Sequence, residues 1–308
     1  MRTSTVRRVG LAVAVAAALT SVGACGGSDD GSTSKAKGKD GSSGSGVVKT
    51  DAIAALLDVQ KKTGAASSAK VEGTMTVGSA MSMKQSGAID WSDGVSGSME
   101  ITYTGGAMAD TLKKSGGNGT MQARYFKDGY AADMGEAMAQ QTGGKRWISY
   151  SYADLAELGG ASGAAMQDQM QNSTPDQGVK SLLASGDVKE VGKEQVRGVA
   201  TTHYSGTVDV AELTAKTSKL DADQLTALKK QLNDAGITTE TVDIWVDEND
   251  LLVKKSERGQ MKTGELNTTM FYSDYGTKVS VERPPAGETI GFKELLQQQQ
   301  GATGGTAS

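Results

Sequence analysis

The sequence predicts an α+β protein in which three or four helices pack against an antiparallel sheet of about ten strands. From Lys70 onward, most apolar residues alternate with polar ones, which is the period of strands with one apolar and one solvated face. A few segments instead repeat their apolar residues every three or four positions, as helices do. Only 5% of the 308 residues are aromatic while 13 are Met, so we expect a core of small aliphatic residues and Met.

The composition excludes several classes of function. A single Cys rules out internal disulfides and Cys-based zinc or iron–sulfur sites, and a single His rules out multi-His metal centres. The formal charge of −4 gives no support for nucleic-acid binding, and neither a P-loop nor a Rossmann fingerprint is present. We therefore expect no cofactor, no metal and no nucleic-acid partner.

Residues 1–24 have the pattern of a secretory signal peptide. Three Arg precede the apolar run Val9–Leu19, and small residues then lead directly to Cys25. This ending resembles the bacterial lipobox, whose Cys thiolate takes a diacylglycerol and becomes the mature N-terminus. The alternative is an ordinary signal followed by a chance Cys, and export by either the Sec or the twin-arginine route stays open. We expect a lipid-anchored chain on the extracytoplasmic face of the bacterial cell membrane.

Three segments follow the signal. Residues 25–46 are interpreted as the lipidated Cys and a flexible tether, because Gly26–Gly46 contains no apolar side chain larger than Ala. Residues 47–296 form the predicted folded domain, and residues 297–308 a low-complexity, frayed tail. The signal carries three Arg and no acid, so the mature chain has 29 basic against 36 acidic residues, a formal charge of −7. Two acyl chains anchor such a chain without a polybasic patch.

Each element is predicted from its period and its end signals. Helical spacing predicts a helix over Asp51–Gly64. Period-two alternation then predicts five strands, over Lys70–Val77, Met81–Trp91, Val95–Thr104, Thr120–Lys127 and Gly129–Met134.

The middle of the chain is predicted to be mostly helical. A short strand over Trp147–Tyr152 and a helix over Ala161–Gln171 precede Thr174-Pro175-Asp176-Gln177, which has the residues of a helix start. That helix is predicted to end at Gly186.

The last third returns to strands. Val188–Val191 and Val196–Asp209 are predicted to form a hairpin that turns over residues 192–195. Asp221 caps a helix over Asp221–Ala235, with Gln224 at its third position. The remaining predicted elements are strands over Glu240–Asp247, Leu251–Met261, Leu266–Tyr272 and Val279–Val281, then a turn of helix over Phe292–Leu296.

Several segments carry a family resemblance over about residues 47–296. After Cys25 come the tether, the first helix and a strand beginning near Ala69. The later segments are Gly192–Val199, Thr201–Gly206, Asp243–Asp247, Phe271–Gly276 and Val279–Pro285. In this order they resemble the actinobacterial LppX/LprG-type lipoproteins, whose fold is shared with the LolA and LolB carriers. The resemblance implies a curved antiparallel half-barrel sheet with helices packed over its concave face, an apolar cavity that carries acylated lipids or glycolipids, and no catalytic residues.

The predicted ligand-binding residues lie on the apolar strand faces. Met is flexible and polarizable, so a Met-rich wall adapts to differing apolar ligands. The alternative is that these Met only fill an irregular core beneath the helices. The predicted ligand-binding residues are Met75, Val77, Met83, Ile89, Trp91, Met99, Ile101, Tyr103, Val242, Ile244 and Val246.

Other candidate sites are weaker. His203 is the only possible imidazole base, but no nucleophile-elbow motif accompanies it, and it is expected to be structural or at the surface. Asp247-Glu248-Asn249-Asp250 lacks the ligand spacing of a calcium loop and is interpreted as a hairpin turn. Trp91, Trp147 and Trp245 suit either a sugar head group or buried packing.

These observations lead to one hypothesis and one alternative. The hypothesis is a monomeric, membrane-anchored envelope lipoprotein that binds a lipid or glycolipid in an apolar cavity, without being an enzyme. The alternative is a non-catalytic envelope sensor or protein-interaction lipoprotein whose sheet is closed and whose outer face binds a partner.

Overall fold

The computed structural model describes residues 45–114, 116–171, 173–217 and 221–304. Cys25, the signal peptide and nearly all of the predicted tether lie outside these residues. The described helices are α1 Ser45–Ala65, α2 Gly106–Lys114, α3 Glu136–Gln141, α4 Tyr152–Gln171, α5 Pro175–Ser185, α6 Val210–Thr217, α7 Ala222–Ala235 and α8 Phe292–Gly304. The described strands are β1 Ser68–Val77, β2 Met81–Asp90, β3 Ser96–Gly105, β4 Thr120–Phe126, β5 Gly129–Asp133, β6 Trp147–Ser151, β7 Lys189–Val196, β8 Val199–Asp209, β9 Thr239–Val246, β10 Leu252–Met261, β11 Gly264–Ser273 and β12 Thr289–Gly291.

All twelve strands belong to one open sheet, which confirms the predicted α+β class. Their order is β12-β6-β5-β4-β3-β2-β1-β11-β10-β9-β8-β7. Every pair is antiparallel except β12 with β6. Strand β1 lies near the middle of the sheet, between β2 and β11. The strands that follow β1 in sequence, β2 to β6, lie on one side of it, and β7 to β11 lie on the other.

One face of the sheet, called the inner face here, is the one on which α1 and α5 pack. Leu56 and Val59 of α1 and Val179 and Leu182 of α5 join a buried cluster with Ile244 of β9. The register places one inner-face row across the sheet, running Ile244, Lys255, Met270, Gly73, Gln85, Ile101 and Met121. A second buried cluster, under α8 and the first turn of α4, holds Tyr130, Ile148 and Tyr150 at the β5–β6 end.

The outer face carries two smaller apolar clusters. One contains Val196, Trp245 and Val253, and the other contains Phe126 and Trp147. Cations of the chain lie over aromatic rings on this face: Lys254 over Trp245, Arg197 over Phe271, Arg124 over Trp147 and Arg283 over Phe126, at 3.6 to 4.6 Å from the ring centres.

Several predicted helix ends are confirmed. The Asp221 carboxylate accepts a hydrogen bond from the Gln224 backbone N–H at 2.8 Å, and the Gln224 side chain accepts one from the Asp221 N–H at 3.0 Å. Gly236 and Gly186 end α7 and α5 in the left-handed conformation. Pro175 begins α5, although Thr174 makes no side-chain capping bond.

The hairpin of β7 and β8 turns at a different place from the predicted one. Residues 192–195 belong to β7, and the turn is Arg197-Gly198, with φ of 51° and 87°. Two consecutive positive φ values define a two-residue turn whose twist matches paired strands, and Gly adopts them without strain. The predicted turn was wrong because its Gly192 forms a bulge within the strand.

The chain after β11 also differs from the prediction. Val279–Val281 is no strand but part of a strap, residues 276–288, that crosses the outer face. Gly276 donates to the Ser68 carbonyl at 3.0 Å, and Arg124 donates to the Glu282 carbonyl at 2.9 Å. The chain re-enters the sheet at β12. The final helix α8 runs to Gly304, further than the predicted single turn, and α2, α3 and α6 were not predicted.

Candidate functional site

The inner face is less completely buried along β2 than along β9. No residue of β2 is buried, although β1 and β3 flank it on both sides. The inner-face side chains here are half-buried and rich in sulfur. We call five of them the methionine strip: Met75, Met81, Met83, Met121 and Met270.

Glycines shape the strip. A Cβ at Gly73 would overlap the Sδ of Met270, and one at Gly87 would overlap the Ser98 carbonyl oxygen and lie 2.7 Å from the Sδ of buried Met99. These positions therefore leave room for methionine side chains lying across the strands. Gln85, in the middle of the strip, donates from its Nε2 to the Met270 Sδ at 3.1 Å. The surface is thus apolar and deformable, with one polar point at its centre.

The structure divides the predicted ligand-binding residues other than Trp91 into three groups. Met75 and Val77 of β1 and Met83 and Ile89 of β2 are half-buried. Met99, Ile101 and Tyr103 of β3 are buried beside them, at 5 to 9% exposure. Val242, Ile244 and Val246 are at most 4% exposed and belong to the packed core.

Trp91 lies just past the end of β2, on the side away from Met81 and Met83. Its Nε1 donates to the Gly64 carbonyl at 3.0 Å, and its ring meets Tyr275 edge to face. Trp91 is 9% exposed. Its contacts with Gly64, at the end of α1, and with Tyr275, which follows β11, fix its position.

A charged group on the inner face was not predicted. The Lys255 Nζ lies 2.9 Å from the Glu257 Oε1, and Glu240 lies nearby on β9. Burial, and secondly the charge of Glu257, raise the pKa of Glu240 to about 7, against the opposing charge of Lys255. Burial by itself lowers the pKa of Lys255, but Glu257 and Tyr272 outweigh it and the pKa is raised. The sequence signal that could have predicted this group is Lys255 and Glu257, which lie two residues apart and so share one strand face.

A second feature, called the rim pocket here, lies beside Trp91, just past the end of β2. Its volume is about 610 Å³. The ends of α1, α4 and α5 meet the β2–β3 and β4–β5 turns here. Its lining includes Trp91, Val95, Tyr152, Gln171, Thr174 and Gln177, together with the ion pairs Lys127–Asp93 and Lys180–Asp176.

His203 lies on the outer face in a polar cluster. Its Nε2 lies 2.9 Å from the Oδ1 of buried Asp243, whose Oδ2 accepts from Arg258 at 2.7 Å. Its ring stacks on Trp245 at 4.2 Å between centres. Burial raises the pKa of Asp243, but hydrogen bonds from Ser205 and His203 and the charge of Arg258 bring it below its ordinary value. The carboxylate, rather than the imidazole, contacts the serine, so the order of groups differs from a Ser–His–Asp triad.

Two kinds of feature are absent from the described part of the chain. No helix there is both long and apolar enough to cross a membrane. No group of three or more His, Cys, Asp or Glu side chains there could hold a metal ion.

Two curated proteins of Streptomyces are similar in sequence to this chain. An uncharacterized 31.2 kDa protein from the rplA-rplJ intergenic region of Streptomyces griseus is 69% identical over 262 residues, covering 85% of this chain and 86% of that protein. "Putative lipoprotein SCO4650" of Streptomyces coelicolor is 45% identical over 310 residues, covering 97% of this chain and 99% of that protein. No protein-family model matches the chain.

Two solved mycobacterial structures are also similar to the chain. LprF from Mycobacterium bovis is 14% identical with a TM-score of 0.48, covering 77% of this chain and 98% of that one. The lipoprotein LppX from Mycobacterium tuberculosis is 14% identical with a TM-score of 0.47, covering 76% of this chain and 99% of that one. LppX represents the family that the sequence resembles.

Proposed function

The chain belongs to the family of these two Streptomyces proteins, and we propose that it is a lipid-anchored lipoprotein of the cell envelope that binds an acylated lipid or glycolipid. One relative carries the name lipoprotein. In this chain, Cys25 would take the diacylglycerol that holds the protein at the membrane.

The observation that carries the binding proposal is the methionine strip. The five methionines are half-buried on the face that elsewhere forms the core. A lipid chain lying there would remove its own surface and the methionine surface from water. Each CH₂ buried in this way contributes about 0.8 kcal/mol. Methionine side chains also rotate to fit chains of differing shape.

Binding of this kind needs no covalent step, and we propose that the protein is not an enzyme. Support comes from the arrangement at His203, where Asp243 lies between the imidazole and Ser205. The residues at the strip are apolar or amide side chains, which do not serve as acids or bases at neutral pH.

The test is native mass spectrometry of the full chain, purified from membranes in a mild detergent, with lipid extraction in parallel. We expect a co-purifying lipid in about one copy per chain. Met83→Glu is expected to reduce the bound fraction about tenfold, because a carboxylate is costly against an acyl chain. Lys84→Glu is the matched control, since Lys84 follows Met83 directly and is exposed on the opposite face of the sheet.

Met83→Trp separates loss of binding from loss of folding. It fills space at the strip with an apolar ring and is also expected to reduce lipid binding, with an unchanged unfolding transition. Wild-type protein that carries no lipid and takes up no fluorescent acyl probe would contradict the proposal.

The outer face supports a second candidate function, that of a partner-binding envelope protein. Trp245 is covered there by Lys254 and His203, and Arg258 is half-exposed beside them. Cross-linking in intact cells that recovers one partner in a fixed ratio, lost in Lys254→Glu but kept in Met83→Glu, would favour it.

A further inference from the structure

Four methionines come together at the start of β2, where α2 packs on the sheet. Met81 and Met83 are two residues apart in β2 and therefore share its inner face. Met75 of β1 lies directly opposite Met83 in the antiparallel register. Met108 lies in the first turn of α2, and its N–H donates to the carbonyl of Ala80, the neighbour of Met81, at 3.1 Å. We call these four methionines the thioether cluster; three of them belong to the methionine strip.

The sulfurs of the cluster are within reach of one another. Side chains directly opposite in an antiparallel pair have Cβ atoms about 5 Å apart. Methionine is unbranched and has three rotatable bonds, so the thioethers of Met75 and Met83 can turn toward one point. Met81, Met83 and Met108 pack against the same apolar cluster of the inner face. All four side chains are half-buried, so an ion from solvent can reach them.

The donor set of the cluster selects the kind of ion. Among the described residues, no group of three or more His, Cys, Asp or Glu side chains could hold a metal, but thioether sulfur is also a metal ligand. Thioethers are soft, uncharged donors that suit Cu(I), whereas Mg²⁺ and Ca²⁺ take oxygen ligands and Zn²⁺ takes imidazole, thiolate or carboxylate. A thioether has no proton to lose, so protons do not compete with the ion for it, as they do at His and Cys ligands.

The other methionines of the inner face differ from the cluster. The Sδ of Met270 already accepts a hydrogen bond from the Nε2 of Gln85 at 3.1 Å. Met99 is only 5% exposed, and Met121 packs against the tyrosine-rich cluster at the β5–β6 end. The start of β2 is therefore the place where half-buried thioethers face one another across two strands and a helix.

We propose that Met75, Met81, Met83 and Met108 form a binding site for Cu(I). The proposal goes beyond lipid binding, because it assigns a metal ion to one end of the methionine strip. It also departs from the expectation of no metal, which was drawn from the Cys and His counts and did not consider methionine. The ion is bound as Cu(I), with no redox step.

The test is a titration of the full chain with Cu(I), supplied as its acetonitrile complex without oxygen. The chain is held in a mild detergent, freed of lipid and labelled with ¹³C at the methionine methyl groups, which are followed by NMR. We expect the four methyl signals of the cluster to shift and to stop shifting at one ion per chain, while those of Met121 and Met270 stay in place. The affinity should be the same at about pH 6 and about pH 8, and excess Zn²⁺ should not reduce it.

Leucine variants separate loss of sulfur from loss of apolar surface, because leucine and methionine exchange with little change of volume. Met83→Leu and Met108→Leu should each weaken Cu(I) binding by at least about tenfold, the lower end of the cost of losing even the outer partner of a metal ligand. The unfolding transition of both variants should be unchanged. Met108 lies outside the methionine strip, so Met108→Leu should also leave lipid uptake unchanged. Met261→Leu, at a half-buried position at the end of β10, is the control and should keep the wild-type affinity for Cu(I).

The outcomes separate the copper site from the proposed function. Methyl signals of the wild type that do not respond to Cu(I) overturn the site, whether or not the chain takes up lipid. Full affinity in both Met83→Leu and Met108→Leu places the ion on other sulfurs and overturns it as well. Lipid uptake, measured on the same samples with a fluorescent acyl probe, reports on the proposed function alone.

Discussion

Strands β2 and β9 are both interior strands of the sheet, but their residues differ in burial. Each is hydrogen-bonded to two antiparallel neighbours, and each presents apolar side chains to the inner face. The five residues Val242–Val246 of β9 are all buried, whereas β2 has no buried residue. The difference lies in the helices above them, because α5 packs on β9 while α2 meets β2 near its start. On this sheet the helices decide whether an apolar strand face becomes core or remains a surface for another molecule.

The largest expected effect is the contrast between Ile244→Ala and Met83→Ala. Ile244 is fully buried, so its truncation should lower the free energy of unfolding by about 3 kcal/mol. Met83 is half-buried, and its truncation should cost less than about 1 kcal/mol in protein freed of lipid. Urea unfolding followed by circular dichroism measures both. Equal losses would show that the two strands are packed alike.

A smaller effect is expected from Glu240→Gln at the start of β9. The carboxyl has an ordinary pKa of 4.5 that the folded state raises to about 7, chiefly by burial. The folded state therefore holds this proton more tightly than the unfolded chain, so the contribution of Glu240 to stability falls as the pH rises from about 4.5 to 7. Above pH 7 the variant should be more stable than the wild type by about 1–2 kcal/mol.

Unfolding curves at pH 5 and pH 8 measure this difference. Glu265→Gln, at an exposed position of β11, is the control. A difference between wild type and Glu240→Gln that is the same at both pH values would contradict the assignment of a half-buried acid to an otherwise packed strand.

The smallest effect is expected from Asp221→Ala at the start of α7. This helix packs on α4 and α6 and has no buried residue among those described. Loss of the reciprocal cap should cost about 1 kcal/mol, expressed as faster amide exchange within α7. Asp223→Ala, which removes an acid from the same turn without touching the cap, should have a smaller effect. A loss as large as that of Ile244→Ala would show that α7 belongs to the packed core.

The sequence predicted the parts that local rules determine. Period-two alternation located β1 to β5, and the Asp221–Gln224 pair located the start of α7, because these signals depend on neighbouring residues. The turn of the β7–β8 hairpin was not predicted correctly, because both Gly192 and Gly198 are residues typical of turns. Gly192 forms a bulge within β7, and Arg197-Gly198 forms the turn. The parallel strand β12 has three residues and is held by β6, far away in sequence, so it has no local pattern.

For the site too, the sequence predicted which residues share a strand face but not which of them a helix covers. Alternation identified the inner-face residues Met75 and Met83, and it equally identified Ile244, because period alone does not show which face positions a helix will cover. The rim pocket could not be predicted, since Trp91, Gln171 and Gln177 come together only when the strand ends meet the ends of α4 and α5.

The pairing of β1 with β11 has a consequence for how the protein matures. Lys70 lies opposite Ser273, so about two hundred residues of chain separate the two partners at the centre of the sheet. A chain that emerges N-terminus first must keep β1 without this neighbour until nearly all of it has been delivered. Non-local pairing of this kind slows folding. The methionine strip, which takes Met75 from β1 and Met270 from β11, is therefore assembled among the last parts of the molecule, and a newly exported chain gains its binding surface only once it is almost complete.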